Sequence, residues 1–397
     1  MAALSADDDL TNVPVGNDYP EIRDAVRAIC SNYPGAYWRA LEDSGDSASD
    51  FVAELTQAGF LSALIPESFG GSGLPLRAGG VILEEIHTMG CEGTSCHAQM
   101  YMMGMLVRYG SAAQKDKFLP DIASGKLRFQ SFGVTEPTTG SDTLNLKTRA
   151  VRDGAHFVVN GQKVWTSRAK HSDLMSLLVR TTPVDQVKRR TDGLSVLLVD
   201  LRDAVGKGLT IRPIETMLNH QTNELFFEDL RVPVENLIGE EGKGFRNIMD
   251  GMNSERILVA HESLGDARFF IAKGVKYAQE RIVFGRPIGQ NQGIQFPLAR
   301  AYSEWRAADL MVRTAAALYQ AGQPCAEEAN LTRLLSSEAA WNAAEAALQT
   351  HGGFGIAREY DVERKWRNTR MQRIAPISTN LILAYIGHGV LGMPKSY

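Results

Sequence analysis

Apolar residues recur with helical spacing in the N-terminal quarter of the chain and with strand spacing in the middle. Helical spacing over residues 19–30, 50–59 and 83–109 predicts an N-terminal helical region. Short runs of β-branched and aromatic residues then alternate with turn residues between Phe129 and Pro233, which predicts a compact antiparallel sheet. The predicted strands cover residues 174–180, 194–201, 209–214 and 223–232, and the dipeptides Asp153-Gly154 and Asn160-Gly161 are hairpin signals.

Helical spacing returns near Gly242 and persists to the end of the chain. Four helices are predicted, over residues 244–281, 294–322, 326–351 and 378–391, and their short connections favour a bundle. The fold class is therefore α+β. The predicted domains are an N-terminal helical domain (19–127), a middle antiparallel β domain (128–240) and a C-terminal four-helix bundle (241–397).

Composition excludes several classes of function. A net charge of −4 argues against a nucleic-acid surface, and no run approaches the roughly 18 apolar residues that a membrane helix needs. The four cysteines are scattered without a CxxC pair, which indicates reduced core thiols and no metal site. The acidic start lacks the hydrophobic stretch of a signal peptide. We expect a soluble cytoplasmic protein.

Glu255 stands beside Arg256 in a helix that is expected to be buried. Apolar residues surround it at three- and four-residue spacing: Phe245, Ile248, Met249, Met252 and Val259. Burying a carboxylate is costly unless it finds a partner or has a chemical purpose, such as taking a proton from carbon. The local pattern leaves two interpretations open, a catalytic base and an interhelical ion pair.

Three short motifs are candidates for ligand binding. Residues 133–142, GVTEPTTGSD, form a loop that offers N–H and O–H donors to an anionic or carbonyl-rich ligand, or a simple surface turn. Residues 160–167, NGQKVWTS, carry a tryptophan that is either packed in the core or faces a ligand. Residues 349–356, QTHGGFGI, contain a glycine turn that lets the backbone approach a dinucleotide closely, and Glu359, Arg364 and Asn368 follow it.

These motifs, with the segment RIVFG at 281–285, resemble those of the acyl-CoA dehydrogenase family of flavoproteins from about residue 19 to residue 391. The resemblance implies an FAD cofactor held by Val134, Thr135, Trp165, Ser167, Arg281, Phe284, Gln292, Gln349 and Gly353. It also implies a homotetramer in which the segment from Arg281 to Gln292 serves the FAD of a neighbouring subunit.

The catalytic base of most family members is a glutamate just beyond the third motif. In this chain the matching stretch, residues 374–380, has no carboxylate, and Pro376 occupies the place of the glutamate. A branch resembling isovaleryl-CoA and long-chain acyl-CoA dehydrogenases carries its glutamate in an E-R pair on the first bundle helix. Glu255-Arg256 matches that placement, so the resemblance implies Glu255 as the base.

The resemblance also assigns substrate contacts to Ser141, Asn253 and Arg256. In the family, a backbone N–H at the position of Pro376 polarises the thioester carbonyl, and proline has no N–H. Ile377 or Ser378 is then the replacement donor, or the protein is not an efficient dehydrogenase.

The implied activity is FAD-dependent α,β-dehydrogenation of an acyl-CoA to the trans-2-enoyl-CoA in fatty acid β-oxidation, with electrons passed to electron-transfer flavoprotein. An acyl-CoA oxidase and an acyl-carrier-protein dehydrogenase are alternatives. From another class come a non-catalytic flavin-binding protein and a DNA-associated relative; the latter usually has a basic C-terminal extension, whereas this chain ends PKSY. The methionines Met100, Met102, Met103 and Met105 either floor an acyl pocket or, as we favour, pack in the core.

Overall fold

The structure is a computed structural model that describes residues 16–395. The acidic start assessed above for a signal peptide and the last two residues lie outside the described residues. The described chain forms two compact units: residues 16–43, 75–93 and 253–395 make the first, and residues 44–74 and 94–252 make the second. Within residues 16–395, none of the helices is both long enough and apolar enough to cross a membrane.

Residues 16–395 contain twelve α-helices, numbered in chain order. They are α1 (Pro20–Ser31), α2 (Gly35–Ser44), α3 (Ser49–Gln57), α4 (Leu76–Thr88), α5 (Thr94–Tyr109), α6 (Ala112–Ala123), α7 (Leu201–Ala204), α8 (Gly244–Glu280), α9 (Gln292–Gln320), α10 (Ala326–His351), α11 (Val362–Met371) and α12 (Thr379–Tyr385). The same part of the chain contains ten β-strands. These are β1 (Phe129–Gly133), β2 (Arg149–Asp153), β3 (His156–Ser167), β4 (Leu174–Arg180), β5 (Leu194–Asp200), β6 (Leu209–Pro213), β7 (Thr222–Pro233), β8 (Leu237–Ile238), β9 (Ile282–Val283) and β10 (Arg286–Pro287).

The predicted helices are confirmed with two corrections. The single helix expected over 83–109 is two helices, α4 and α5, because the chain turns at Gly90 with φ 78° and a Cβ there would lie 2.8 Å from the ring of Phe269. The fourth predicted bundle helix is shorter than expected, seven residues of α12 followed by a π-turn at Ile386–Val390. Helices α2, α6, α7 and α11 were not individually predicted.

The middle of the chain folds into an eight-stranded sheet. The strand order is β6-β7-β3-β2-β4-β5-β8, and β1 also pairs with β4. Most neighbouring strands are antiparallel, as predicted, but β4 runs parallel to both β1 and β2. Apolar residues of β3, β4, β5 and β7 pack into one core on this sheet.

The two hairpin signals have different outcomes. Asp153 pairs with His156 across a two-residue turn, as predicted. Asn160-Gly161 is not a turn but lies inside β3, where the pairing with β7 shifts register. Glycine is required there because a Cβ on Gly161 would lie 2.6 Å from the Cα of Thr148.

The helical part of the first unit has a core rich in alanine. Alanines of α8, α9 and α10 pack together with Phe270 and Val312, which lets these helices approach closely. The four cysteines are buried and form no disulfide, as predicted. The four methionines of α5 are also buried, in agreement with the core interpretation.

Candidate functional site

In the second unit, a buried ion pair ties the first motif to the second. Lys163 of β3 donates from Nζ to the carbonyl oxygen of Val134 at 3.0 Å and to Oε1 of Glu136 at 2.9 Å. Glu136 also accepts from the amides of Lys147 and Thr148. Burial lowers the pKa of Lys163 to about 8, and Glu136 opposes that shift. The loop after β1 is therefore fixed against β3 by the hydrogen bonds of Lys163.

Trp165 projects outward from this strand. The pairing of β3 with β7 shifts between Lys163 and Thr166, and Trp165 has φ 61° within that irregularity. A bulge re-aims the side chain, and the Trp165 ring is 60% exposed although its strand neighbours are buried. The amide of Val164 donates to the carbonyl of Thr135 at 2.9 Å, so the loop and the tryptophan are neighbours.

The remaining predicted residues of this unit are arranged more loosely. Ser167 lies half-buried at the end of β3, opposite Thr222. Thr166 is buried, and its hydroxyl has no hydrogen-bond partner among residues 16–395. Ser141 lies on an exposed turn beyond the loop. Val134, Thr135 and Trp165 are thus neighbours, and Ser167 follows on the same strand, whereas no hydrogen bond within residues 16–395 joins Ser141 to them.

In the first unit, the glycine turn of the third motif lies beside the end of α8. The guanidinium of Arg281 lies 5.7 Å from the centre of the Phe354 ring, and Gly353 and Gln349 are exposed close by in sequence. A Cβ on Gly355 would lie 2.6 Å from the carbonyl oxygen of Leu348, so the turn needs glycine at that position. An exposed guanidinium next to a backbone turn suits a diphosphate.

Phe284 and Gln292 lie on the chain that follows α8. Phe284 and Gly285 form the two-residue turn between β9 and β10, both with positive φ. The Phe284 side chain is 99% exposed, and Gln292 is exposed at the first residue of α9. An apolar ring presented at a hairpin tip is typical of a surface that another chain or ligand covers.

Two residues of the third motif have a structural role. Arg364 donates to Glu92 at 2.9 Å and to the carbonyl of Gly90 at 2.7 Å, and Asn368 donates to the same Glu92 carboxylate at 2.6 Å. Both side chains are buried. These residues therefore hold the turn after α4 rather than reach a ligand, which spacing in the sequence does not reveal.

Glu255 is buried on α8, as the sequence predicts. Every residue from 254 to 267 is buried, and the exposed fraction of Glu255 is 2%. Arg256 is buried beside it and donates to Oδ1 of Asn253 at 3.2 Å. The predicted base and two predicted substrate contacts are thus adjacent on one helix.

Sequence analysis missed a buried arginine on α10, Arg333, whose ionisation Glu255 affects. Arg333 is fully buried, and Glu255 and Glu262 lie close enough to affect its ionisation. Burial lowers the pKa of Arg333 to about 10, while the two glutamates oppose that shift. Arg333 also donates to the carbonyls of Gln372 and Ala375, next to Pro376. The sequence signal that could have identified Arg333 was a charged residue among the small residues of α10.

Comparison with known proteins covers the same three regions. Profiles of the acyl-CoA dehydrogenase N-terminal, middle and C-terminal domains match residues 17–126, 131–230 and 242–390. Acyl-CoA dehydrogenase FadE12 of Mycobacterium tuberculosis (strain ATCC 25618 / H37Rv) is 32% identical over 379 residues, 95% of this chain and 96% of that protein.

Two solved structures have the same fold over nearly the whole chain. An acyl-CoA dehydrogenase from Geobacillus kaustophilus has a TM-score of 0.88 and 29% identity, covering 95% of this chain and 99% of that chain. A chain from the structure of the electron transferring flavoprotein of Acidaminococcus fermentans has a TM-score of 0.87 and 28% identity. The match covers 98% of this chain and 99% of that chain.

The side chains fit the cofactor that this similarity implies. The exposed Trp165 ring beside the Val134–Thr135 backbone suits an isoalloxazine, and Arg281 beside the glycine turn suits a pyrophosphate. The profiles and the relative span the chain, and the protein therefore belongs to the acyl-CoA dehydrogenase family of FAD-dependent oxidoreductases, which act on CH–CH bonds.

Proposed function

We propose that the protein dehydrogenates an acyl-CoA thioester to the trans-2-enoyl-CoA, with Glu255 as the base that removes the α-proton. The observation that carries this proposal is the burial of Glu255 on α8 together with the lack of any carboxylate in residues 374–380. A carboxylate held away from water is a stronger base than one at the surface.

FAD, when bound, would supply the acceptor for the β-hydrogen as hydride, and electron-transfer flavoprotein would receive the electrons. The protein's own part is to hold the α-carbon at Glu255 and to polarise the thioester carbonyl. Pro376 cannot donate. No backbone acceptor within residues 16–395 takes the amide hydrogen of Ile377, so this N–H is available as the donor.

Substrate contacts are proposed at Ser141, Asn253 and Arg256. The bond from Arg256 to Asn253 orients the amide, and the buried guanidinium places positive charge one residue from the base. Ser141 would act from an exposed turn.

A homotetramer is part of the proposal. Phe284 and Ile282 are 99% and 54% exposed around the β9–β10 hairpin, which supports a subunit contact there. Arg281, Phe284 and Gln292 would then serve the FAD of a neighbouring subunit. We also propose a cytoplasmic location and a role in fatty acid β-oxidation, and we retain the three predicted domains.

The proposal is tested by anaerobic reduction of the purified flavoprotein with straight and branched acyl-CoAs, followed by flavin absorbance. Glu255→Gln should retain FAD and lose reduction by about 10²- to 10⁴-fold. Glu262→Gln is the matched control, because it removes the other buried carboxylate near Arg333. Loss of reduction in Glu262→Gln with retention in Glu255→Gln would assign the base to Glu262.

The alternatives of the sequence analysis are other outcomes of the same experiment. Reduction by acyl-carrier-protein thioesters alone would favour a carrier-protein dehydrogenase. Rapid reoxidation of the reduced protein by oxygen would favour an oxidase. No reduction by any thioester would favour a non-catalytic flavin-binding protein.

A further inference from the structure

Arg168 is a buried arginine of the second unit. It directly follows Ser167, the last residue of β3, and 7% of its surface is exposed. Among residues 16–395 no carboxylate pairs with it, since Nε donates to the amide oxygen of Gln130 at 2.9 Å and Nη2 donates to the hydroxyl of Ser47 at 3.3 Å. Both of these partners are neutral. A guanidinium stays charged at physiological pH, and burying its charge without compensation is costly.

A second arginine adds to this positive charge. Burial and the charge of Arg128 lower the pKa of Arg168 to about 10. The guanidinium of Arg128 donates to the hydroxyl of Thr56 at 2.9 Å, another neutral partner. Burial also lowers the pKa of Arg128, and Asp173, which accepts from the backbone amide of Arg128 at 2.6 Å, opposes that shift. Two arginines thus have one carboxylate to balance them, which leaves a net positive charge at this place.

Hydrogen bonds fix the direction of the Arg168 side chain. The backbone of Arg168 has φ 60°, a left-handed conformation that is uncommon for a residue with a Cβ, and its amide donates to the carbonyl of Gln221 at 2.9 Å. Gln130 is oriented in turn, because its amide nitrogen donates to Gln99 at 3.5 Å and its oxygen therefore faces Arg168. The guanidinium is held in place before any ligand binds, which lowers the entropic cost of binding.

One nitrogen of this guanidinium is open to a ligand. Nη1 makes no hydrogen bond within residues 16–395, and it is not among the buried polar atoms that lack a partner. Nη1 therefore keeps contact with solvent, whereas Nε and Nη2 are engaged. A guanidinium nitrogen that is open to solvent and carries an uncompensated charge suits a carboxylate or a phosphate, which it binds through charge-assisted hydrogen bonds.

We propose that Arg168, supported by Arg128, binds an oxyanion, and that this ligand is the carboxylate at the far end of a dicarboxylic acyl thioester. Gln130 lies four residues before Val134, and Arg168 lies three residues after Trp165. The site is thus built on the two strands that present the flavin-fitting residues, and a thioester that reacts there brings its acyl tail to the same strands. This choice of ligand rests on the proposed function. The other source of the same chemistry is a free carboxylate or phosphate ion.

The first experiment compares acyl-CoAs of equal chain length whose acyl group ends in a carboxylate or in a methyl group. The second-order rate constant of flavin reduction is measured for the FAD-loaded wild type, Arg168→Gln and Arg168→Lys. The preference of the wild type for the carboxylate should fall by about 10- to 100-fold in Arg168→Gln, because a hydrogen bond to a charged group is lost. Arg168→Lys should retain part of the preference, since it keeps the charge but not the planar fork.

The matched control is Arg152→Gln. Arg152 is an exposed arginine of the same unit that pairs with Glu241 at 3.1 Å. Its replacement removes the same charge from a place where that charge is already compensated. Arg152→Gln should therefore keep the wild-type preference between the two acyl-CoAs.

A second experiment needs no turnover and identifies the source of the anion. Thermal unfolding of the FAD-loaded protein is followed as inorganic phosphate or glutarate is added, with chloride at equal ionic strength as the reference. An ion that binds the folded protein raises its Tm. If the ligand is a free ion, the Tm should rise in the wild type and in Arg152→Gln but not in Arg168→Gln. The two acyl-CoAs of the first experiment should then react equally.

A wild type that shows neither a preference for the carboxylate nor stabilisation by phosphate or glutarate would overturn the proposal. An Arg168→Gln variant that keeps the wild-type effect in full would do the same. If Arg168→Gln does not fold, a weakened effect in Arg168→Lys supports the proposal, and the wild type alone can still overturn it. Failure of the proposed function is a separate result, in which no acyl-CoA reduces the flavin while phosphate and glutarate still report on Arg168.

Discussion

Lys163 Nζ lies 2.9 Å from Glu136 Oε1, and both side chains are buried. Removing one partner of a buried pair leaves an uncompensated charge, so we expect Lys163→Met to lower the free energy of unfolding by about 3 to 5 kcal/mol. Urea unfolding measures this. The double variant Lys163→Met, Glu136→Gln should be more stable than Lys163→Met alone. Equal or lower stability of the double variant would contradict a direct coupling.

His261 predicts how stability depends on pH. It is fully buried, Nε2 accepts from Arg77 at 2.6 Å and Nδ1 donates to the carbonyl of Ile257 at 2.7 Å. Burial and Arg77 lower the pKa of His261 from 6.5 to about 3. Between these values the unfolded chain binds a proton that the folded protein does not, so stability falls as pH falls.

The variant His261→Gln isolates this contribution. The pKa of Glu84 is lowered from 4.5 to about 2, so this group affects the pH dependence of stability only below the range in which His261 acts first. Urea unfolding at several values between about pH 6.5 and 4.5 should therefore show a flatter slope for the variant, by up to about 1.4 kcal/mol per pH unit. An unchanged slope would mean that His261 is protonated in the folded protein.

Replacing either of two helical glycines with alanine should change the stability of the protein, in opposite directions at the two positions. A Cβ on Gly80 would lie 2.5 Å from the imidazole of His261, closer than side chains pack. We expect Gly80→Ala to destabilise by about 1 to 3 kcal/mol. On Gly104 the nearest atom is the flexible end of Arg108 at 3.8 Å, so Gly104→Ala should stabilise by about 0.5 to 1 kcal/mol. Thermal unfolding of both variants measures the difference, and equal effects would contradict the close packing at His261.

Trp165 tests the placement of the flavin in the second unit. Because the ring is 60% exposed, Trp165→Ala should change the stability of the apoprotein by no more than about 0.5 kcal/mol. FAD affinity should fall, by about 1 kcal/mol or more if ring stacking is lost. Trp38→Phe is the control, since Trp38 is only 5% exposed and should affect stability instead. Unchanged FAD binding in Trp165→Ala would exclude the ring from the site.

Much of the fold was predictable where one local signal dominates. The mainly apolar run of β4 and the helical spacing of α10 predicted the observed bounds, Leu174–Arg180 and Ala326–His351. The prediction of a turn at Asn160-Gly161 failed because the same dipeptide occurs both in tight turns and in strand bulges. Only the partner strand, which is distant in sequence, decides between the two.

The candidate site was predictable only in part for a similar reason. Glu255 could be recognised because a carboxylate stands out in an apolar helix. The surroundings of Glu255 could not be predicted, because every residue of α8 from 254 to 267 is buried. No exposed face therefore marks the orientation of this part of the helix. Arg333 is 39 residues before Gln372 and pairs with a backbone carbonyl, a contact that leaves no pattern in side-chain spacing.

The most direct measurement for Glu255 is exchange of the acyl-CoA α-hydrogens with D₂O, followed by mass spectrometry of thioester incubated with the FAD-loaded protein. This exchange needs the base but not the complete redox reaction. Wild type and Glu262→Gln should incorporate deuterium at the α-carbon, and Glu255→Gln should be slower by about 10²-fold or more. Incorporation by Glu255→Gln at the wild-type rate would contradict Glu255 as the base.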